Sequence, residues 1–330
     1  MRITLVMASA EDGGLEKHVL ELTAALSAQH DVSLIAHQRF ASQLQGSAQF
    51  IAMDLSGSRH NPWTKYQLKK HIFATKPDVV HVHAAKTAQL VQNMLPGFPF
   101  PAVVTVHGKK KKSAVNQKFD RIIVVSQQLK DQFEPSEKVD VVYNGIAHVQ
   151  VPQPFVKNRK FIAIGRLNEV KGFDVLLEAW QDIEYSLTIA GEGEERTKLE
   201  KLIKEYDLSS RVQLIGHSNE IQKLITEHEA LIVSSLREGG PYTLGEALLL
   251  ERPVIGTDVG MMSEFIDAQW LCPTQDVKAL QDLIQKYVQL EAPQALFQSA
   301  FLHAQQHLTQ AHMLQSTLEV YQRAIADKTA

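Results

Sequence analysis

The feature that most limits the fold of this chain is the alternation of short apolar runs with longer amphipathic segments. Seven apolar runs in the first half are predicted to form buried strands, at 2–7, 31–36, 50–55, 78–83, 102–107, 121–126 and 138–143. Helical patterns lie between most of them, as at 15–29, where Val19, Leu22 and Leu26 fall on one face. Strands that alternate with helices indicate βαβ units and a parallel sheet.

The alternation breaks once and then resumes. Residues 144–158 contain Pro152 and Pro154 and are typical of a linker. A second series of strands is predicted at 160–165, 185–191, 211–216, 230–235, 253–258 and 270–273. Helices are predicted at 172–180, 194–206, 218–227, 242–250 and 260–266.

The sequence therefore predicts an α/β protein of two doubly wound Rossmann-like domains that face a central cleft. We expect an N-terminal domain at 1–148 and a C-terminal domain at 149–310. A last helix, at 311–330, is expected to pack back on the first domain. A fold of this kind hosts many activities, so the function has to come from the site.

The charge of the chain is nearly balanced overall but uneven along its length. The net charge of −3 does not suit a nucleic-acid binder. Residues 1–150 hold 17 Lys and Arg against 12 Asp and Glu, whereas residues 151–330 hold 17 against 25. This asymmetry suggests different partners for the two halves.

Cysteine content and apolar run length bear on the compartment. Cys272 is the only cysteine, which excludes an intramolecular disulfide, fits a reducing compartment and predicts a buried small hydrophobe. The apolar run ahead of Ala8-Ser9-Ala10 is too short for a signal peptide. No run approaches the roughly eighteen apolar residues of a membrane-spanning helix. We expect a cytoplasmic protein that is able to touch the inner face of the cytoplasmic membrane.

The segment GRLNEVKG, at 165–172, follows one predicted strand and opens a predicted helix. It places Lys171 in the first turn of that helix, where free N–H groups and the helix dipole favour an anion. Arg166 adds a second cation at the same turn. Two cations there suit a diphosphate, although a solvated surface pair is the alternative interpretation.

The segment REGGPYTLGEA, at 237–247, combines a glycine turn with two acids. Gly239 and Gly240 precede a predicted helix and expose successive N–H groups, which form an anion-binding concavity. Glu238 and Glu246 flank the turn, with seven residues between them. Glu246 lies in an otherwise apolar run, which argues against a merely solvated acid and favours a contact with ribose hydroxyls.

Signals in the first half are weaker when each is taken alone. Gly13-Gly14 precedes a helix, and His107 ends a strand in the segment TVHG. His81 and His83 are two apart on a strand and face the same side. No third ligand is visible for them in the sequence, so a structural role is favoured over a metal site.

Together these segments resemble the family 4 retaining glycosyltransferases of the two-Rossmann, or B-type, fold. The resemblance covers most of the chain and is strongest over 160–266. It is carried by GGLEKHV, PDVVHVH, TVHG, GRLNEVKG and SSLREGGPYTLGEALLLERPVIGTDVG. The two acids with seven residues between them, followed by PVIGTD, form its most specific part.

The resemblance implies a role for each side chain at the matching position. Arg166 and Lys171 would neutralise the diphosphate of a nucleotide-sugar donor. Glu246 would bind the ribose, and Glu238 the transferred sugar. His107 would reach that sugar and help to place it against the acceptor.

Further donor contacts are implied, mostly through backbone groups. They fall on Gly13, Gly14, His217, Ser218, Gly239, Gly240, Tyr242, Thr243 and Leu244, with His217 and Ser218 near the base. The family mechanism needs no protein base, because the leaving phosphate takes the acceptor's proton on the same face. No Asp-x-Asp motif occurs, so neither a metal nor a cofactor besides the donor is implied. Two positions depart from the family pattern: Ala147 replaces an Asp, and Met261 replaces a Gly.

Four consecutive lysines, Lys109, Lys110, Lys111 and Lys112, follow His107. A solvated loop is the ordinary interpretation of such a run. Because it follows a predicted site strand in the more basic half, we hypothesise an anionic, lipid-linked acceptor or a membrane surface as its partner.

The sequence thus predicts a transferase that moves a hexose from a nucleotide sugar to a glycan or lipid-linked acceptor in cell-surface polysaccharide or lipopolysaccharide assembly. A nucleotide-sugar epimerase or a glycosyl phosphorylase is the alternative, and an inactive binding scaffold ranks below these. A nicotinamide dehydrogenase ranks low, because ASAEDGGLE is not Gly-x-Gly-x-x-Gly and the second strand ends without an acid.

Overall fold

A computed structural model describes residues 1–11, 13–108, 116–133, 137–147 and 149–329. The chain divides into two compact units. Met1–Ala147 and Thr309–Ala330 form unit 1, and His148–Leu308 forms unit 2. The predicted fold class, an α/β protein with two Rossmann-like parts, is confirmed.

Unit 1 contains a seven-stranded parallel sheet. Its strands are β1 (Arg2–Met7), β2 (Asp31–Ala36), β3 (Gln49–Ala52), β4 (Val79–His83), β5 (Ala102–Val106), β6 (Arg121–Val124) and β7 (Val139–Val141). Its helices are α1 (Gly14–Ser27), α2 (Pro62–Ala74), α3 (Ala84–Val91), α4 (Gln127–Lys130) and, after unit 2, α12 (Gln310–Thr329). The strand order is β3-β2-β1-β4-β5-β6-β7, so the direction of winding reverses between β1 and β4.

Both faces of this sheet are covered, as the continuous apolar strands require. Alternate strand residues pack against α1 and α12 on one face, where Leu22 and Val320 lie in the same buried cluster. The other face packs against α2 and α3, with Ile72 and Leu90 in its cluster. The last helix is therefore part of the core of unit 1.

Unit 2 contains a six-stranded parallel sheet. Its strands are β8 (Lys160–Ile164), β9 (Ser186–Ala190), β10 (Val212–Gly216), β11 (Ala230–Val233), β12 (Val254–Thr257) and β13 (Leu271–Cys272). Its helices are α5 (Phe173–Ala179), α6 (Arg196–Glu205), α7 (Ile221–Glu227), α8 (Tyr242–Leu249), α9 (Met262–Phe265), α10 (Val277–Val288) and α11 (Gln298–His307). The order is β10-β9-β8-β11-β12-β13, with the reversal between β8 and β11.

Two sequence expectations can be checked directly in these elements. Cys272 is buried, as predicted for a small hydrophobe. Among the residues described, no helix has the length and apolarity that crossing a bilayer requires.

Candidate functional site

The two site segments of unit 2 meet at the point where the strand order reverses. Residues 165–172 follow β8, and residues 234–241 follow β11, its neighbour in the sheet. Carboxyl ends of adjacent parallel strands open a crevice at such a reversal, and ligands of doubly wound sheets bind there. The topology therefore brings the two sequence motifs to one place.

Backbone contacts hold these two segments together. The Leu236 N–H donates to the Val170 carbonyl at 2.8 Å, and the Ser234 hydroxyl donates to the Lys171 carbonyl at 2.9 Å. Gly172 has φ +59°, and a Cβ there would lie 2.3 Å from the Ser234 carbonyl oxygen. Only glycine fits this position, because any side chain would push the segments apart.

A charged pair lies at the centre of the crevice. Lys171 Nζ is 2.6 Å from Glu238 Oε1, and the side chains are 22% and 16% exposed. The Ser235 hydroxyl donates to the same carboxylate oxygen at 2.8 Å. A small cavity is lined by these three residues and Thr243. Ser235 was missed in the sequence; its signal was a hydroxyl directly after a buried strand.

The predicted position of Lys171 in the first turn of a helix is wrong. Lys171 ends a short 3₁₀ turn, Glu169–Lys171, and α5 begins only at Phe173. The left-handed Gly172 separates the turn from the helix and redirects the chain. The N–H groups of the turn that contains Lys171 therefore do not belong to α5.

Close backbone approaches support the Lys171 side chain. A Cβ on Gly165 would lie 2.7 Å from Lys171 Cε. A Cβ on Gly191, where φ is +152°, would lie 1.8 Å from the Gly165 carbonyl oxygen. Arg166, the second predicted cation, follows Gly165 and is exposed. The turn that begins at Gly191 thus packs against the loop that follows β8.

The glycine turn and Glu246 belong to the start of α8. Gly239 and Gly240 lead to Pro241, and the helix begins at Tyr242. Glu246 is only 3% exposed, so it is not a solvated helix acid. The Leu244 N–H, one of the predicted phosphate contacts, donates to the Pro241 carbonyl at 3.2 Å within the first turn.

His217 and Ser218, predicted near the base, follow β10 at the edge of the sheet. The His217 ring lies 3.0 Å from the Asn219 side-chain oxygen. Ser218 Oγ accepts a bond from the Glu220 N–H at 3.1 Å. Because β10 is two strands away from β8, these residues lie to one side of the Lys171–Glu238 pair.

In unit 1, four histidines cluster near the corresponding reversal between β1 and β4. The Gly13-Gly14 turn leads from β1 into α1, which carries His18. His81 and His83 lie on β4, and His107 follows β5. The tetralysine run 109–112 lies outside the described residues.

His81 is fully used by hydrogen bonds. Its Nδ1 lies 2.7 Å from the Tyr321 hydroxyl of α12, and its Nε2 lies 2.6 Å from the Thr105 hydroxyl. Burial, with a smaller contribution from nearby His18, lowers the pKa of His81 to about 3. His81 is therefore a neutral structural residue, in line with the role that the sequence favoured.

His83 instead joins His18 and His107. Its Nδ1 lies 3.3 Å from His107 Nε2, and the His18 ring centre is 4.8 Å from that of His107. Burial lowers the pKa of His18 to about 4 and holds the pKa of His83 and of His107 well below the usual value. His18 was missed; its signal was its place in the first turns of the helix after β1.

Comparisons with known proteins agree with this architecture. A model described as glycosyl transferases group 1 matches residues 147–300, and a model described as glycosyltransferase family 4 matches residues 12–149. The two matches overlap at residues 147–149 and together span residues 12–300, which include the candidate site segments of both units.

Individual relatives are distant. An uncharacterized glycosyltransferase of Methanocaldococcus jannaschii is 26% identical over 61% of this chain, and the match spans only 62% of the relative. A Campylobacter jejuni enzyme, N-acetylgalactosamine-N,N'-diacetylbacillosaminyl-diphospho-undecaprenol 4-alpha-N-acetylgalactosaminyltransferase, is 24% identical over 78% of this chain and 80% of its own length.

A solved structure shares the whole fold. Anabaena HepE, determined in complex with UDP and glucose, superposes with a TM-score of 0.82 at 18% identity, covering 97% of this chain and 98% of its own. The fold, the two reversal-point sites and the two adjoining family matches lead to one conclusion: this chain belongs to the family 4 glycosyltransferases.

Proposed function

We propose that this protein transfers a sugar from a nucleotide-diphosphate donor to an acceptor with retention of the anomeric configuration. The observation that carries the proposal is the arrangement at the β8–β11 reversal. There, Lys171 and Glu238 form a partly exposed ion pair in a crevice shaped by glycines. A cation and a carboxylate side by side suit a ligand that joins a diphosphate to a polyhydroxyl group.

Donor binding exchanges the partners of this pair. The diphosphate takes the Lys171 ammonium group, assisted by Arg166, while hydroxyls of the sugar donate to the Glu238 carboxylate. Ser235 keeps its bond to the same carboxylate and holds it in place. Each charged group thus trades one partner for another, so opening the pair leaves neither group without a hydrogen-bond partner.

The remaining donor contacts come from the rest of unit 2. Glu246, buried on α8, binds the ribose hydroxyls. The N–H groups of the turn at Gly239 and Gly240 and of the first turn of α8 contact phosphate oxygens. His217 and Ser218 lie beside the base, and Gly13 and Gly14 of unit 1 add a backbone contact.

The chemistry follows from where charge develops. A glycosyl transition state has oxocarbenium character, and the departing diphosphate gains negative charge. Lys171 and Arg166 stabilise that charge, which is the largest contribution that such a site makes. The leaving oxygen takes the acceptor's proton on the same face, so the reaction needs neither a protein base nor a metal. His107 contacts the transferred sugar as a neutral imidazole.

We further propose UDP as the nucleotide and a lipid-linked glycan as the acceptor. HepE was solved with UDP, and the Campylobacter relative is named for a diphospho-undecaprenol acceptor. The excess of cations in residues 1–150, including 109–112, suits an anionic acceptor at a membrane surface. The protein would then act in the cytoplasm, peripherally on the membrane, in surface polysaccharide assembly.

A ligand panel and product analysis test the proposal. A donor present at a hundred times its Kd stabilises the protein by about 2.7 kcal/mol, so thermal shifts with UDP, GDP and ADP sugars identify the nucleotide. NMR of the product reports the anomeric configuration. Inversion, or isomerisation of the donor without acceptor, would overturn the proposal and indicate a different enzyme class.

A further inference from the structure

Three imidazoles in unit 1 have the arrangement of a metal site. One ring nitrogen from each of His18, His83 and His107 lies within 4.8 Å of the others. We propose that these three histidines bind a divalent transition-metal ion, with Zn²⁺ as the best match, and that the bound ion blocks His107. The blocking part rests on the proposed function of His107; the binding part does not.

The spacing of two of the nitrogens already fits. Tetrahedral zinc with Zn–N bonds of about 2.0–2.1 Å holds its ligand nitrogens about 3.4 Å apart. His83 Nδ1 and His107 Nε2 are 3.3 Å apart. The His18 nitrogen lies within 4.8 Å of the other two, so His18 has to move closer when the ion binds. A water molecule would complete the fourth position.

The protonation state of the cluster also suits a metal. Neutral imidazole is the form that coordinates, and a protonated ring has to lose its proton first. Burial keeps the pKa of all three rings below the usual value for histidine.

The neighbouring His81 shows why the site contains these three rings. Both nitrogens of His81 are engaged, by Tyr321 and Thr105. His83 is equally buried, yet its Nε2 has no hydrogen-bond partner among the described residues. His83 is therefore held by fewer hydrogen bonds than His81, and its Nδ1, which contacts His107 Nε2, is the nitrogen that would coordinate the ion. His107 is only half-buried, which gives an ion a route from solvent.

The ligand set also predicts selectivity. Imidazole nitrogens suit Zn²⁺, Cu²⁺, Ni²⁺ and Co²⁺, whereas Mg²⁺ and Ca²⁺ prefer oxygen ligands. No carboxylate belongs to this three-residue group. We therefore expect zinc to inhibit transfer reversibly and magnesium to leave it unchanged. A coordinated His107 is fixed by the ion and no longer contacts the sugar.

The test uses chelator-treated full-length protein with Zn²⁺ and Co²⁺ as probes. His303 and His307 lie one turn apart on α11 with ring centres 4.7 Å apart, so they offer a second, two-ligand zinc site. All titrations are therefore performed in a His303→Gln, His307→Gln background. We expect one Zn²⁺ per chain by calorimetry and an intense visible band from tetrahedral Co²⁺.

Variants assign the ligands. His18→Gln and His83→Gln are each expected to weaken Zn²⁺ binding at least about tenfold, and His60→Gln, on an exposed loop, is expected to leave it unchanged. Circular dichroism verifies that each variant is folded. X-ray absorption of the zinc-loaded parent protein, which needs no variant, is expected to report three nitrogen ligands at about 2.0 Å.

Two results would overturn the site: zinc affinity that is equal in the parent, His18→Gln and His83→Gln proteins, or a zinc spectrum without three nitrogen ligands. Transfer assays with and without zinc then examine the block on His107. A chelator-treated parent protein that shows no transferase activity before zinc is added, but binds zinc when it is added, would reject the proposed function and keep the metal site. Full activity in the zinc-loaded protein would reject the block alone.

Discussion

The two units place their candidate site residues at the same topological point but with opposite electrostatics. In unit 1, the reversal between β1 and β4 gathers buried histidines that burial keeps neutral. In unit 2, the reversal between β8 and β11 gathers Lys171 and Glu238, charged and in contact with solvent. The fold thus fixes the location of a site, while burial and pairing decide whether it carries charge.

Under the proposed function, this difference corresponds to the two parts of a glycosyl donor. The neutral imidazoles suit the uncharged sugar, whereas the partly exposed charged pair suits the diphosphate, whose negative charge grows during the reaction. Four sets of substitutions test this difference between the units, and their expected effects decrease from the first set to the last.

Replacing each member of the charged pair separates their roles. Lys171→Ala is expected to lower kcat/KM at least about a hundredfold, because the leaving diphosphate loses its cation. Glu238→Gln is expected to bind UDP at least as tightly as the parent, since Lys171 is released, and yet to lose transfer. Steady-state kinetics and UDP calorimetry measure both, with the exposed Lys278→Ala as control. Equal losses of UDP binding in both variants would contradict the exchange of partners.

The next effect concerns the glycine that joins the two site segments of unit 2. Gly172→Ala places a Cβ 2.3 Å from the Ser234 carbonyl oxygen in a left-handed conformation. We expect the free energy of unfolding to fall by about 1–3 kcal/mol in urea titrations. Gly57→Ala is the control, since a Cβ there meets nothing within 4 Å. A stable Gly172→Ala protein would mean that the segments are not tightly joined.

Removing the Tyr321 hydroxyl, which is hydrogen-bonded to His81 in the histidine cluster, is expected to have a smaller effect on the free energy of unfolding. Tyr321→Phe leaves His81 Nδ1 buried without its partner, which costs about 1–3 kcal/mol of unfolding free energy. The exposed Tyr66→Phe is the control, expected to change stability by less than about 0.5 kcal/mol. Hydrogen exchange of β4 amides reports whether the loss is confined to unit 1. If Tyr321→Phe and Tyr66→Phe are equally stable, the hydrogen bond between Tyr321 and His81 does not stabilise the histidine cluster.

The smallest effect tests a buried histidine in unit 2. His228 Nδ1 donates to the Leu224 carbonyl at 2.6 Å, and its Nε2 accepts from the Thr188 hydroxyl at 2.9 Å. Burial lowers its pKa below the unfolded value of about 6.5. The unfolded chain therefore takes up a proton first, and stability falls as the pH drops below about 6.5.

His228→Asn is expected to reduce this acid dependence by the share that His228 contributes, as measured by urea midpoints at pH 7.5 and pH 5. The exposed His60→Asn serves as the matched control. If the ratio of the urea midpoint at pH 7.5 to that at pH 5 is the same in His228→Asn as in the parent protein, the His228 ring is already protonated, or exposed, in the folded protein.

Much of the fold could be predicted from the sequence because the period of the apolar residues changes between strand and helix. Short elements were less accurate: the helix expected at 260–266 is only Met262–Phe265, and the strand expected at 50–55 is Gln49–Ala52. These segments have too few residues for their periodicity to define both ends.

The sequence predicted which residues belong to the candidate site better than it predicted which of them contact one another. The sequence pointed to Lys171 and Glu238, yet their direct contact depends on two loops 67 residues apart. The αL conformation of Gly172 could not be foreseen, and it moved Lys171 out of the helix. His18 joined the cluster only because the entry of α1 turns it towards β4 and β5, which is a tertiary effect. The departures at Ala147 and Met261 lie buried, and nothing in the structure explains them.

The position of α12 has a consequence for how the protein is made. Its Val320 and Tyr321 belong to the core of unit 1, although they are translated after all of unit 2. Unit 2 is one continuous stretch of chain and is complete once residue 308 leaves the ribosome. Unit 1 therefore completes its core only after unit 2 has been synthesised, and until α12 emerges the part of the sheet that α12 covers remains an apolar surface that a chaperone has reason to cover.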